Sequence, residues 1–371
     1  MSAPKNNSKD KFWIAFSSVE NIDSEFILRL YNYFGDIELA WNVDKSEFQH
    51  IDGLSIKKSE NFLRERSNIN IDEKFELVEK RCVKFLTFED ENYPLRLKEI
   101  YNPPAVLYYK GDLMRVNFDK TLAVVGSRRA SSYAKDALKK VLSGLFNTDI
   151  TIVSGLASGI DTAAHEIAIA NGLTTIGVIA SGFDFIYPVS NKHLYDKIEN
   201  EFGVIFTEYY PTFQPLKYRF PQRNRIVSGL CAGTLVAEAS MKSGALITSN
   251  LTLEQGRELM CIPGMITNPN TEGIYKLIKN GATIVTETDD ILNTLSWQIE
   301  GQLGLNLGLT PELTKTEAQI LNSIAVEEKT FDQIQSETNL DLGTLLTDLT
   351  MLELKGIIKK VGRDSYRKDV L

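Results

Sequence analysis

At about 150 residues per domain, a chain of 371 residues has room for two or three domains and at least one large core, which excludes a single small module. Its 43% hydrophobic, 9% aromatic and 24% charged residues are ordinary for a globular protein and exclude a fibrous or wholly disordered one. With 41 Lys+Arg against 49 Asp+Glu the formal charge is -8, so any polyanion must be held by a local patch and not by the molecule as a whole.

The chain starts with a polar stretch and contains no apolar run of the roughly 18 residues that a membrane helix needs. No membrane partner is expected. Cys82, Cys231 and Cys261 are odd in number and far apart, fitting neither a disulfide framework nor CxxC metal spacing. They favour a reducing cytoplasm and read as core residues. Residues 12–71 carry helical spacing, with Phe26, Ile27, Leu30, Tyr33 and Phe34 on one face that Gly35 ends. Within this small helical domain, Ile51-Asp52-Gly53-Leu54-Ser55 before a helical stretch is similar to the helix pairs that grip a DNA backbone through amides at a helix start. A packing module without a ligand would read the same.

Over 81–295 short apolar runs alternate with helical stretches, which predicts strands at 122–125, 151–153, 175–179, 204–207, 234–237, 259–262 and 283–285. Leu122-Ala123-Val124-Val125 is apolar at every position, as a strand covered on both faces requires. The pattern is that of an α/β domain with a doubly wound, mostly parallel sheet. A polar segment over 296–310, with Gly301, Gly304 and Gly308, reads as a linker. The remainder, 311–371, predicts helices at 315–324, 330–337 and 342–355 and extended pieces at 357–361 and 365–367, a winged-helix arrangement.

Four stretches can carry chemistry. In Gly126-Ser127-Arg128-Arg129, between a strand and a helix, the glycine permits close approach to a ligand, the amides of the helix start favour an anion, and Arg128 offers a forked cation to a phosphate. A tight turn with surface arginines would give the same residues. In Ser154-Gly155-Leu156-Ala157-Ser158-Gly159-Ile160-Asp161 a second such loop follows the next strand, and right-handed crossovers place both loops on one edge of the sheet. Asp161 is expected as a helix N-cap and His165 as a structural residue.

The third stretch, 211–229, holds Lys217, Arg219, Arg223 and Arg225 with no acidic residue, and Phe213, Tyr218 and Phe220 are interleaved with them. Single-stranded nucleic acid is bound by that mixture, rings stacking on bases while cations follow phosphates. The rings could equally anchor a core. In the fourth, Glu238 ends a buried strand and Ser243-Gly244 opens the next helix, a third anion-binding corner on the same edge. Glu238 reads as the anchor of a loop arginine in preference to a catalytic acid.

The sequence has no GxxxxGK[ST], no GxGxxG after the first predicted strand and no acidic residue ending the second, so nucleotide cofactors lose their usual warrants and none is expected. His50, His165 and His193 are scattered, so no metal site is expected, and no GxSxG elbow supports a hydrolase.

These stretches, with Phe220-Pro221-Gln222-Arg223-Asn224-Arg225-Ile226-Val227-Ser228-Gly229-Leu230, Ala245-Leu246-Ile247-Thr248 and Ile262-Pro263-Gly264, resemble the DNA-processing protein A (DprA/Smf) family. Tyr93-Pro94, Pro103-Pro104-Ala105-Val106-Leu107-Tyr108 and Gly111-Asp112 match the family's lead-in, and the likeness covers 93–292. It implies an extended Rossmann-like domain flanked by an N-terminal SAM- or helix-hairpin-helix-like domain and a C-terminal winged helix. It also implies a cytoplasmic, non-enzymatic homodimer that binds and protects single-stranded DNA in natural transformation and helps to load the recombinase RecA. Carried onto this chain, the phosphate pocket comprises Gly126, Ser127, Arg128, Ser154 and Gly155, joined by Arg129, Gly159, Lys217, Arg219, Phe220, Arg223, Asn224, Arg225, Ser243 and Gly244.

The winged helix departs from a duplex binder, because from Thr310 it has 8 Lys+Arg against 11 Asp+Glu, and only the wing (Lys359, Lys360, Arg363, Arg367 and Lys368) is basic. The alternative reading is a nucleotide N-glycosidase similar to phosphoribohydrolases, but Cys231-Ala232 replaces their first glycines and Glu238 follows Thr234 too late. A third is an adaptor acting through its terminal domains.

Overall fold

The computed structural model describes residues 8–298, 313–324, 328–354, 357–361 and 365–368. The chain divides into two compact units, Met1–Leu138 with Gly144–Trp297, and Lys139–Ser143 with Gln298–Leu371.

The first unit is organised by a nine-stranded sheet: β1 (Lys84–Thr87), β2 (Val106–Gly111), β3 (Thr121–Gly126), β4 (Thr151–Ser154), β5 (Thr174–Val178), β6 (Gly203–Thr207), β7 (Gly233–Glu238), β8 (Glu258–Cys261) and β9 (Thr283–Ile284). Their spatial order is β1-β2-β6-β5-β4-β3-β7-β8-β9. The run from β6 to β9 is parallel, and β2 joins it antiparallel to β6 and β1 antiparallel to β2. The seven expected strands are present, within a residue or two of the expected ends. Two further strands, β1 and β2, extend the sheet on the side of β6, and their antiparallel pairing needs no crossover helix, which is why the alternating pattern did not mark them.

Full burial along β4, β6 and β7 follows from helices on both faces. On one face Ala123, Val125, Val153, Val178 and Val236 form a core with Ile226, Val227 and Leu230 from the helix Arg219–Gly229 and its flank. The helix Ile160–Ala170 packs against β3, β4 and β5. Successive crossovers move the chain outward from β3 to β6 and then, from β7, outward the other way. Strand order therefore reverses beside β3, and the strand ends there splay their loops apart to leave a crevice.

Among the described residues, five α-helices precede the sheet, Asp10–Ser17, Ser24–Phe34, Ile37–Trp41, Ile56–Arg66 and Ile71–Lys80, with a 3-10 turn at Lys45–His50. Asp23 caps the second by accepting from the Phe26 amide at 3.2 Å, and Gly35 ends it with φ +65. Phe16 and Phe62 stack at 5.0 Å between centroids in a core with Trp13, Phe26 and Leu30. That core continues onto Val106, Tyr108 and Tyr210, so helices and sheet edge share one apolar interior. Tyr33 lies at the edge of the apolar stripe and is 48% exposed, unlike Phe26, Ile27 and Leu30. Cys82 is also exposed: it occupies the turn into β1 with φ +51, whereas Cys231 and Cys261 are buried as expected.

The second unit has helices Lys315–Ile324, Phe331–Thr338 and Leu342–Leu354, with β10 (Lys329–Thr330), β11 (Ile358–Val361) and β12 (Ser365–Lys368) in the order β10-β12-β11. Thr330 and Gln333 form a capping box, and Ile320, Ile334, Leu345, Leu349 and Leu352 fill the core. Lys359 and Lys360 lie on β11, Arg367 and Lys368 on β12. Arg363 and residues 299–310 of the expected linker lie outside the described residues.

Candidate functional site

The loops that follow β3, β4 and β7 enclose a cavity of about 480 Å3 at the strand-order reversal. Gly126, Ser127, Arg128 and Arg129 reach it from the first loop, Gly155 and Ala157 from the second, and Lys242, Ser243 and Gly244 from the third. Arg223 and Asn224 line it from the helix Arg219–Gly229.

Backbone bonds lock the loops to one another. The Ser127 amide donates to the Glu238 carbonyl at 2.8 Å, and the Ile160 amide donates to the Ser127 carbonyl at 3.1 Å. Gly159, at φ +87, passes so close to the first loop that an added Cβ would lie 2.2 Å from the Ser127 carbonyl oxygen. Glycine is needed at 159 for this crossing and for its backbone angle. Gly244 is different: its backbone is right-handed helical, and a Cβ there would meet nothing within 4 Å. Leu156 adopts φ +54, a costly angle for leucine, with its carbonyl held by the Asn191 side chain at 2.9 Å.

Glu238 is an anchor, but not of an arginine. Its carboxylate accepts from the Ser131 hydroxyl at 2.5 Å and from the Ser131 amide at 3.3 Å, and so fixes the end of the arginine loop. Asp161 is not the N-cap either; Gly159 holds that position, one residue before the helix begins at Ile160. The Asp161 carboxylate instead accepts from the Gly155 amide at 3.2 Å and the Ala157 amide at 3.4 Å, bracing the second loop from inside. Burial pushes the Asp161 carboxyl up and the Arg223 guanidinium down, and each charge opposes the other's shift.

The basic stretch separates into distinct environments. Arg128 lies over the Phe220 ring at 5.2 Å, and Phe220 meets Tyr187 edge-on. Arg223 is buried and donates to the Gly155 carbonyl at 2.6 Å and to the Val178 carbonyl. It therefore lines the cavity while tying the helix to the ends of β4 and β5. Arg225 forms a two-pronged pair with Glu208 at 2.6 and 2.8 Å on the other side of the helix. Burial pulls the Arg225 pKa down, but Glu208 more than offsets this and the net direction is up. Arg219 is buried among Tyr209, Phe213 and Tyr218, its guanidinium 4.8 to 5.7 Å from their centroids. Lys217 is exposed before the helix, and Ser154 is buried with its hydroxyl on the Val124 carbonyl at 2.7 Å.

Sequence reasoning omitted Lys242 and Asn270, which line the same cavity. Lys242 directly precedes Ser243-Gly244, so the loop's own charge was the available signal. Among the described residues no ion pair within 4 Å involves Arg128, Arg129 or Lys242, and Asp161 is the one carboxylate lining the cavity.

Residues 84–296 match the family model described as DNA recombination-mediator protein A, and residues 308–362 match the DprA winged helix domain. The DNA processing protein DprA of Streptococcus pneumoniae is 48% identical over 217 residues, covering 58% of this chain and 76% of that protein. Protein Smf of Synechocystis is 31% identical over 98% of this chain and 99% of its own length. The X-ray structure of the Streptococcus pneumoniae DNA processing protein A superimposes with TM-score 0.69 at 38% identity, covering 76% of this chain and 97% of that one. A DNA processing protein A from Helicobacter pylori, described for its unique single-stranded DNA binding mode, gives TM-score 0.52 at 29% identity over 58% of this chain and 95% of its own. With the doubly wound sheet and its reversal-point cavity, these matches show that the chain belongs to the DNA recombination-mediator protein A family.

Proposed function

We propose that the chain is a non-catalytic, single-stranded DNA-binding recombination mediator whose reversal-point cavity holds the strand by its phosphates. The observation that carries this reading is electrostatic. A protein of formal charge -8 collects Arg128, Arg129 and Lys242 around one cavity without carboxylate partners within ion-pair distance among the described residues. The dipole of the helix Ala245–Glu254, whose N-terminal end faces the same rim, adds a second source of positive potential. Phe220 under Arg128 and beside Tyr187 supplies a neighbouring ring surface for bases.

A binding role also accounts for the acids near the cavity. Glu238 is taken up by Ser131 and Asp161 by two amides, so both serve the loops and neither is poised for proton transfer in the geometry described. Family likeness further supports a homodimer that works in the cytoplasm and helps to load RecA on the strand. Among the described residues no helix is long and apolar enough to cross a membrane. The acidic winged helix, with Leu342 and Leu346 exposed one turn apart, fits a protein contact better than a duplex contact.

The test is affinity for oligodeoxythymidylate against salt concentration. Each phosphate neutralised contributes about -0.7 to the log-log slope. Arg128→Ala is expected to weaken binding and make the slope shallower by about that amount. A wild-type slope near zero, or an Arg128→Ala variant indistinguishable from it, overturns the reading of this cavity.

A further inference from the structure

We propose that a second cavity, on the opposite face of the helix Arg219–Gly229, receives a nucleobase of the same strand whose phosphates occupy the first. This inference rests on the single-strand reading and adds a subsite to it. At 100° per residue, Asn224 and Val227 project towards the first cavity and Gln222 and Arg225 to the other side, while Arg223 and Arg219, one turn apart at the boundary, line the first and the second respectively. The two cavities are thus separated by the thickness of one helix, about 10–12 Å. The second measures about 320 Å3 and lies between the N-terminal helices and the sheet, within the same compact unit.

Its chemistry differs from that of the first cavity. Here the cations are already neutralised: Arg225 by Glu208 at 2.6 Å and Lys58 by Asp23 at 2.5 Å. Arg219 is spent on the rings of Tyr209, Phe213 and Tyr218 and on the Gln214 carbonyl at 2.6 Å. A phosphate would find no free cation among these three. What remains includes an aromatic wall and carboxamides, beside the Ser17 and Ser24 hydroxyls and the aliphatic Ile22, Ile27 and Val106. Tyr209, Phe213 and Tyr218 all line the cavity, and Tyr218 is 53% exposed.

Asn102 lines it as well, and its Oδ1 is buried without a hydrogen-bond partner. Such an acceptor calls for an N–H donor. Gln222 complements it, because its Oε1 accepts from the Tyr209 hydroxyl at 3.3 Å, which leaves the amide N–H groups to donate. A neutral planar ring with donor and acceptor side by side along one edge satisfies both carboxamides and the aromatic wall. Nucleobases have that form, and the cavity is at the small end of ligand pockets, near 300 Å3. Phe220 lies under Arg128, which lines the first cavity, and exposed Lys217 and Tyr218 precede the helix, Tyr218 lining the second cavity.

The experiment uses the full chain and oligodeoxythymidylates in which single thymines are replaced, position by position, by abasic sites. One position, or two adjacent ones, is expected to lose about 5- to 150-fold in affinity beyond the others, the range of a stacked base. Asn102→Gly, which suits the backbone angle of φ +56, and Gln222→Ala should each weaken the intact oligonucleotide and shrink that position's effect. Both should leave the salt slope unchanged, since no phosphate contact is removed. A featureless abasic profile, measured on the unaltered protein, or a profile identical in the wild type and both variants overturns the second site alone. Failure of the wild type to bind any oligonucleotide overturns the single-strand reading itself.

Discussion

His165 has its Nδ1 2.7 Å from the Thr175 hydroxyl, and that hydroxyl donates to the Ile152 carbonyl at 2.8 Å. The Thr175 oxygen must then accept, so Nδ1 carries the proton and Nε2, buried without a partner, is a bare lone pair. Burial, with the Arg223 charge behind it, pushes the His165 pKa down from 6.5 to about 3. The neutral ring's stability is fully present above pH 6.5 and is lost as pH falls, because the unfolded chain takes up a proton that the native one refuses. Chemical unfolding should show His165→Gln losing less stability than the wild type between pH 6 and 4, the difference approaching about 1.4 kcal/mol per pH unit. Equal slopes would mean that the ring is protonated in the native state. The arginines teach the same lesson about environment. Arg128, Arg223 and Arg225 are alike in sequence, yet a ring, two carbonyls and a carboxylate are their respective partners. Charge was legible in the sequence; what would neutralise it depended on side chains from distant strands.

At the scale of elements, the loop after β3 is fastened to the end of β7 through Ser131 and Glu238. Glu238 is only 1% exposed, so Ser131→Ala removes a hydroxyl donor from a buried carboxylate and is expected to cost about 1–3 kcal/mol. A shifted denaturation midpoint at constant m-value, together with weaker oligonucleotide binding, checks this, and an unshifted midpoint refutes the fastening. Such cross-loop bonds explain what the sequence did and did not reveal. The strands β3 to β8 were visible because residues buried on both faces are apolar in continuous runs, and right-handed crossovers between parallel strands placed the loops on one edge. β1 and β2 were not: β1 is a short outer strand with Lys84 exposed, and β2, although Val106 to Tyr109 are buried, joins antiparallel without a crossover helix, so the alternation of strand and helix did not point to it. Asp161 looked like a cap because a short acid at a helix start usually is one. Its role inside the loop depended on Gly155 and Ala157 turning their amides inward.

For the whole molecule, the decisive fact is how apolar surface is shared. The N-terminal helices complete a core that includes Val106, Tyr108 and Tyr210, whereas the second unit encloses its own around Ile320, Leu345 and Leu349. Calorimetry is expected to resolve two transitions, one for each unit, with the helices before residue 84 melting together with the sheet. A fragment beginning at residue 84 exposes those three side chains and should aggregate or melt lower than the same sheet with its helices. A fragment as stable as the parent unit would show that the helical segment is an independent domain.

Gly244 differs from its neighbours in a way that can be used. Most turns around the reversal-point cavity tolerate no extra atom, but this position has ordinary helical angles and open space where a side chain would grow. Folding therefore does not demand its smallness, and a bulky replacement acts as a stopper. Gly244→Leu should melt within about 0.5 kcal/mol of the parent while obstructing the strand's path, which divorces the protein's durability from its grip.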